Sequence, residues 1–203
     1  MNLEINDSDA KLKRIRCSYE AYDMAGESLK TSDLKRYLAA RPQTQLAKEI
    51  VDLFQKIPAV KDYYQIKLNP QAETDVQEKY KQIIRKEFAT ADRPGPARLS
   101  VARKAVMDFK KVAGSRESIA DMMLFYVEQG VAFTNAFGDI DEPFYNSMES
   151  MYEKAAQWAT QHELTAVFIP RFQRIVKATA HMGWGFHHCL TDIFQEFFNG
   201  VEA

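Results

Sequence analysis

The stretch Met122-Met123-Leu124-Phe125-Tyr126-Val127 lies within the segment of residues 117–137. Its six residues are all apolar, so a helix formed here has no polar side over these positions. A helix that lacks a polar side is expected to be surrounded by other helices. Gly130, in the same segment, costs about 1 kcal/mol of helix propensity relative to alanine, and such a glycine commonly marks a close helix crossing. The segment therefore predicts the central helix of an all-α fold.

Elsewhere the apolar residues recur at every third or fourth position, as they do on one side of an α-helix. Five stripes follow this spacing: Leu46, Ile50, Leu53, Phe54 and Ile57; Val76, Tyr80, Ile83, Ile84 and Phe88; Leu99, Ala102, Val106 and Phe109; Phe144, Met148, Met151, Tyr152 and Ala155; and Phe186, Leu190, Ile193, Phe194 and Phe197. Proline and glycine clusters separate the stripes, so we predict about nine helices. Pro170 interrupts the segment 163–180 and predicts a kink or a break near Ile169.

The alternation of helix and turn predicts antiparallel helical hairpins, arranged either as a compact bundle or as a short α-solenoid-like array. Residues 1–30 form one more amphipathic stretch, which we interpret as an N-terminal helical extension. No convincing linker divides the rest, so we predict a single all-α domain over residues 31–203.

Composition excludes several classes of protein. Of the 203 residues, 27% are charged and 46% are apolar, which is typical of a globular protein and not of a disordered chain. Cys17 and Cys189 are too few for a disulfide framework and fit a reducing compartment. No apolar run reaches the ~20 residues of a membrane span, so we expect a cytoplasmic protein without a membrane partner.

The formal net charge is only −1, but the charges are segregated along the chain. Residues 79–111 carry ten basic side chains against three acids, whereas residues 117–163 carry nine acids and one base. The basic segment 79–111 could bind nucleic acid, although it lacks interleaved aromatic residues for base stacking. We favour instead a solvated face, or attraction between the two segments within the fold or across a homo-oligomer.

The stretch 181–189, HMGWGFHHC, holds three histidines, a tryptophan and a thiol. Adjacent residues on a helix point about 100° apart, so His187 and His188 cannot converge on one ion, and we predict no metal site and no cofactor. Gly183 and Gly185 fit a tight helix junction that Trp184 plugs. His187 is also a candidate catalytic or ligand-binding residue, because its ordinary pKa suits proton transfer near neutral pH.

Two further features are candidate site residues. Asp139 and Asp141 precede a helix opened by Pro143, where acids commonly cap the helix and complement its dipole; as a pair they are also candidate catalytic carboxylates. Arg98 lies on the apolar side of its predicted helix, where it needs a carboxylate such as Asp139, Asp141 or Glu128. Arg98 could equally bind an anionic ligand together with Trp184 and His187.

From about Leu34 onward the chain resembles an all-helical bacterial family catalogued as a domain of unknown function. The segments that carry the resemblance are LKRYL, VKDYYQIKLNP, KYKQIIRKEF, ARLSVARKAVMDFKK, MLFYVEQGVAFTNAFGDIDEPFYNSMESMYEKA and HMGWGFHHCLTDIF. The family motif has one histidine after GWGF, so His188 departs from it. The resemblance implies no activity.

These observations leave three hypotheses for function. The first is a cytoplasmic protein-interaction or scaffold module, which fits the helical hairpins and segregated charges. The second is a hydrolase or small-anion-binding enzyme with a site around His187, Trp184 and Arg98, for which Asp139 and Asp141 are further catalytic candidates. The third is nucleic-acid binding through residues 79–111. P-loop, GxGxxG, CxxC and HExxH motifs do not occur.

Overall fold

The computed structural model describes residues 29–89, 94–183 and 185–198. Within these ranges the secondary structure is helical, and the all-α prediction is confirmed. The α-helices are α1 (Thr31–Ala39), α2 (Gln43–Lys56), α3 (Pro58–Leu68), α4 (Glu73–Glu87), α5 (Leu99–Val112), α6 (Arg116–Phe137), α7 (Glu142–Gln161), α8 (Thr165–Ala178) and α9 (Phe186–Phe197), with one 3₁₀ turn at Pro70–Ala72.

Contacts divide the chain into two compact units, residues 1–50 and 51–203, with the boundary inside α2. In the described part of the first unit, α1 and the start of α2 form a helical hairpin in which the Tyr37 hydroxyl donates to Glu49 at 2.9 Å. Neither α1 nor α2 contains a buried residue. Residues 1–28 lie outside the described residues, so the boundary near residue 30 stays a prediction.

In the second unit α6 is the central helix, as predicted. Twelve of its residues are buried, and it packs against α4, α5, α7 and α8. Helices also contact the next helix but one, as α4 contacts α6 and α7 contacts α9. A compact bundle and an array of stacked helical hairpins share this pattern, so both predicted arrangements stay open. Gly130 lies where α6 meets Met148 of α7, so the predicted close crossing is confirmed.

The core of the second unit is largely aromatic. The Phe88 ring packs against the rings of Tyr126, Phe133 and Phe144 at centroid distances of 5.5–6.1 Å. The four apolar stripes from Val76 onward supply 15 of the 38 described residues of this core, and α6 supplies much of the rest. The stripe of α2 supplies none, because its large apolar side chains remain partly or largely exposed.

Of the kink or break predicted near Ile169, the break is wrong. Helix α8 runs continuously from Thr165 to Ala178 with Pro170 inside it. Proline lacks the N–H that would bond the carbonyl four residues earlier, which here belongs to Ala166 in the exposed first turn. That carbonyl lies where solvent can reach it, so the helix loses one hydrogen bond without ending.

Candidate functional site

Two loops meet at one end of the second unit, one between α6 and α7 and the other between α8 and α9. Asp139 of the first loop lies beside Gly183 of the second, since a Cβ on Gly183 would be 3.6 Å from Asp139 Oδ2. The Tyr145 hydroxyl donates to Asp139 Oδ1 at 2.9 Å, and its ring packs on Phe186 at 5.0 Å. Burial and the hydrogen bond to Asp139 raise the pKa of Tyr145.

His187, in the first turn of α9, is half-buried and has a defined tautomer. The buried Thr179 hydroxyl donates to the Val176 carbonyl at 2.7 Å, so toward His187 Nδ1, at 3.1 Å, its oxygen must accept. Nδ1 therefore carries the proton of the neutral imidazole, and Nε2 is the basic nitrogen. His187 can therefore act as a proton acceptor through Nε2, while the hydrogen bond between Nδ1 and Thr179 fixes the orientation of its ring.

The junction that carries His187 depends on one glycine conformation. Gly185 has φ +73° and occupies the N-cap position of α9, where it provides no side-chain cap. A left-handed backbone is strained for residues with a Cβ, which explains why glycine directly precedes Phe186. Trp184 lies outside the described residues, so its predicted role as a plug stays a prediction.

Asp141 caps α7, as the sequence indicates. Its side chain accepts a hydrogen bond from the Phe144 N–H at 3.0 Å. Asp139 is instead engaged by Tyr145, so the two carboxylates have separate partners. A role as paired catalytic acids finds no support in these contacts, whereas the capping interpretation is confirmed for Asp141.

The expected partners of Arg98 are wrong. Its side chain is 62% exposed and pairs with Glu87, whose side chain is 2% exposed. Three hydrogen bonds of 2.6–3.0 Å reach this carboxylate, from the backbone N–H and the guanidinium of Arg98. The hydrogen bonds from Arg98 lower the pKa of Glu87 despite its burial. Arg98 therefore anchors the end of α4, and its contacts do not join it to His187.

A cluster of charges that the sequence analysis missed links three helices. Arg171 of α8 forms two hydrogen bonds to Glu128 of α6, at 2.5 and 2.6 Å, and also pairs with Asp121. Lys81 of α4 binds Asp121 from the other side at 2.5 Å. Burial would raise the pKa of Asp121, but the hydrogen bond from Lys81 and the charge of Arg171 outweigh it, and this pKa is lowered.

A signal for this cluster was present in the sequence. Asp121 and Glu128 are the two charged residues between 118 and 137, which is the part of α6 that follows Arg116 and Glu117. Seven residues are close to two helical turns, so both side chains lie on one face. Glu128 was considered as a partner for Arg98, but its actual partner, Arg171, lies 43 residues away in a different helix.

The protein-family model described as family of unknown function (DUF6155) matches residues 29–198 of the chain. The chain belongs to this family. The comparisons with curated proteins and with solved structures gave no match. Membership in DUF6155 implies no particular activity.

In this DUF6155 member six of the ten basic side chains of segment 79–111 form ion pairs within the fold. Lys81 pairs with Asp121 of the acidic segment, which is the mutual attraction considered above. Other basic side chains pair within the fold: Lys79 with Asp62, Arg85 with Glu78, Arg98 with Glu87, Lys104 and Lys111 with Asp108, Arg103 with Ser147, and Lys110 with the Trp158 ring. Arg103 and Lys110 keep their charge, because their partners here are an uncharged serine and an aromatic ring.

The histidines and acids of this DUF6155 member are dispersed. Across the described ranges, no group of three or more His, Cys, Asp or Glu side chains is arranged to hold a metal ion. His181 and His188 are exposed, and the His188 ring stands 5.9 Å from that of His187. In the same part of the chain, no helix has the length and apolarity required to cross a bilayer.

Proposed function

We propose that the protein is an interaction module that binds a partner protein through an apolar patch at the junction of α2 and α3. The patch consists of Val51, Leu53, Phe54, Ile57 and Tyr63, which we call the α2–α3 patch. Their exposed fractions lie between 36% and 54%. This is the observation that carries the proposal, because contiguous exposed apolar side chains commonly mark interaction sites.

The α2–α3 patch contains the aromatic side chains of Phe54 and Tyr63, which the Tyr64 ring connects. The Phe54 ring contacts Tyr64 at 6.5 Å, and Tyr63 contacts Tyr64 at 5.2 Å, both edge to face. Aromatic side chains are enriched among the residues that dominate binding energy at interfaces. They present large rigid surfaces that lose little conformational entropy on binding.

The size of the patch favours a transient partner over a stable homodimer. With a full area of about 180 Å² per side chain, five side chains exposed by roughly two-fifths offer on the order of 400 Å². A standard specific interface buries about 800 Å² on each partner. The patch can therefore serve as the centre of an interface to which a partner adds its own polar rim.

Charges around the patch indicate the chemistry of the partner. Lys67 lies over the Tyr63 ring at 5.3 Å and donates to its hydroxyl at 3.2 Å, while Lys61 is exposed and has no ion pair among the described residues. Lys56 is neutralised by Asp52. The rim is thus basic, and we infer that the partner is an amphipathic segment whose apolar side is flanked by acids.

Fluorescence anisotropy with two labelled model peptides tests this proposal. Both peptides carry Leu and Phe at helical spacing, and they differ only in having Glu or Lys at the flanking positions. We expect the acidic peptide to bind with a Kd on the order of 10–100 µM, and the basic peptide to bind at least tenfold more weakly. Phe54→Glu and Tyr63→Glu should each abolish binding.

The matched control is Val167→Glu, because Val167 is an equally apolar side chain, 68% exposed, on α8. This variant should bind the acidic peptide like the wild type. Equal binding of the two peptides, or unchanged binding by both patch variants with wild-type circular dichroism, would contradict the proposal.

We place the activity in the cytoplasm, since two cysteines without a disulfide framework fit a reducing compartment.

A second proposal, a hydrolase centred on His187, is favoured by one observation: His187 lies in the first turn of α9, directly after the loop whose Gly183 lies beside Asp139. It no longer includes Arg98. If it is correct, turnover of p-nitrophenyl acetate or p-nitrophenyl phosphate should be lost in His187→Gln and kept in His188→Gln, its exposed neighbour. Background hydrolysis alone in the wild type would remove this alternative.

A further inference from the structure

A cleft opens between α6 and α8, on a different part of the second unit from the α2–α3 patch. Its volume is about 220 Å³. Val131 and Ile175, both nearly fully buried, form its apolar floor. Ala132 and Ala178 line its sides, and because alanine is short at both positions the space between the helices stays open. Glu128, Asn135 and Arg174 form the polar rim.

The charges on this rim do not cancel. Both carboxylate oxygens of Glu128 accept hydrogen bonds from Arg171, at 2.5 and 2.6 Å, so its negative charge is already paired. Arg174 is exposed, and its hydrogen bond within the described part of the chain runs from Nε to the Pro170 carbonyl at 3.4 Å. The guanidinium of Arg174 has no carboxylate partner there. The cleft therefore offers one unpaired cation above an apolar floor.

We propose that this cleft binds a small carboxylate with a short, branched apolar body. The guanidinium of Arg174 is suited to a bidentate pair with the carboxylate. Asn135, whose amide makes only a long 3.5 Å hydrogen bond to the Ala178 carbonyl, supplies a second donor at the rim. The apolar body packs on Val131 and Ile175.

A volume of about 220 Å³ suits a small ligand. Isovalerate, a branched four-carbon chain with a carboxylate, matches both the apolar floor and the cationic rim.

A titration of the ¹⁵N-labelled full chain with isovalerate, followed by two-dimensional amide NMR, tests the proposal. We expect saturable shifts confined to amides around the cleft, with a Kd on the order of 1 mM for a ligand this small. Isovaleramide, which has the same shape without the charge, should bind at least tenfold more weakly. Arg174→Gln should weaken isovalerate binding at least tenfold, and Ala132→Leu should abolish it by filling the cleft.

Lys177→Gln is the matched control, since Lys177 is an exposed cation one turn along the same helix. It should leave the affinity unchanged. Absence of saturable shifts up to about 50 mM isovalerate, equal binding of the amide, or an equal loss in both charge variants would overturn the proposal. Because Ala132 is exposed, its variant is expected to fold, and an unchanged spectrum away from the cleft verifies this.

Discussion

Replacing Gly130 by alanine should destabilise the protein, although alanine is the better helix former. In an unhindered helix the substitution gains about 1 kcal/mol. At this position the new Cβ would lie 2.9 Å from Met148 Cε and 3.2 Å from Cγ, and closer still to Sδ. Met148 is fully buried in the core, so its flexible end can move aside only by displacing the core side chains around it.

Overpacking a core by one methyl group costs roughly 1–3 kcal/mol. After the gain in helix propensity is subtracted, the net loss of stability should be about 1 kcal/mol. In a chain of this length such a loss lowers Tm by about 2–4 °C. The measurement is urea and thermal unfolding followed by circular dichroism at 222 nm.

Two further variants isolate the cause. Ala132→Gly, at an exposed position in the same helix, measures the propensity term alone and should cost about 1 kcal/mol. In a Met148→Ala background, where the obstructing atoms are gone, Gly130→Ala should become stabilising. An increase of Tm on Gly130→Ala in the otherwise wild-type chain would refute the close crossing of α6 and α7.

Three further predictions concern charged groups and the thiol. Arg171→Met should lower the free energy of unfolding by about 2–4 kcal/mol, because it leaves Glu128 without its ion-pair partner and Asp121 with Lys81 alone; Lys177→Met in the same helix should change it little. Arg98→Gln should flatten the acid limb of stability measured from pH 7 to 3. The lowered pKa of Glu87 means that its stabilisation is present above its ordinary pKa of about 4.3 and is lost as the pH falls through the lowered value. Burial and nearby carboxylates raise the pKa of Cys189 to about 12, so in a variant without the other cysteine, Ellman's reagent at pH 7.5 should react at least 100-fold more slowly than in urea.

The central helix could be predicted because its cause is local. Six consecutive apolar residues leave a helix no polar side, so the segment around Phe125 has to be enclosed. Gly130 in such a helix indicates a close neighbour, and that neighbour is Met148. The same reasoning predicted α2 as a helix. It did not predict that Leu53 and Phe54 would stay exposed, because periodicity identifies the apolar face of a helix but not whether another helix packs on that face.

The candidate site was predictable only in part. His187 and Asp139 were singled out by residue type, and the loop that carries Asp139 does lie beside the loop that precedes His187. Their contacts with Thr179 and Tyr145 were not foreseen, because each depends on where one helix ends relative to another. A pairwise contact needs positions accurate to a few tenths of an ångström, and helix periodicity gives no such accuracy.

What this sequence determined by itself is the set of helices and the apolar face of each, because backbone hydrogen bonding and side-chain spacing act within a few residues. The tertiary structure alone decided which charges pair, with Arg98 on Glu87 and Arg171 on Glu128. It also decided where the α6–α8 cleft opens. Both follow from the distance and rotation between packed helices, which depend on every side chain at the contact and not on any one segment.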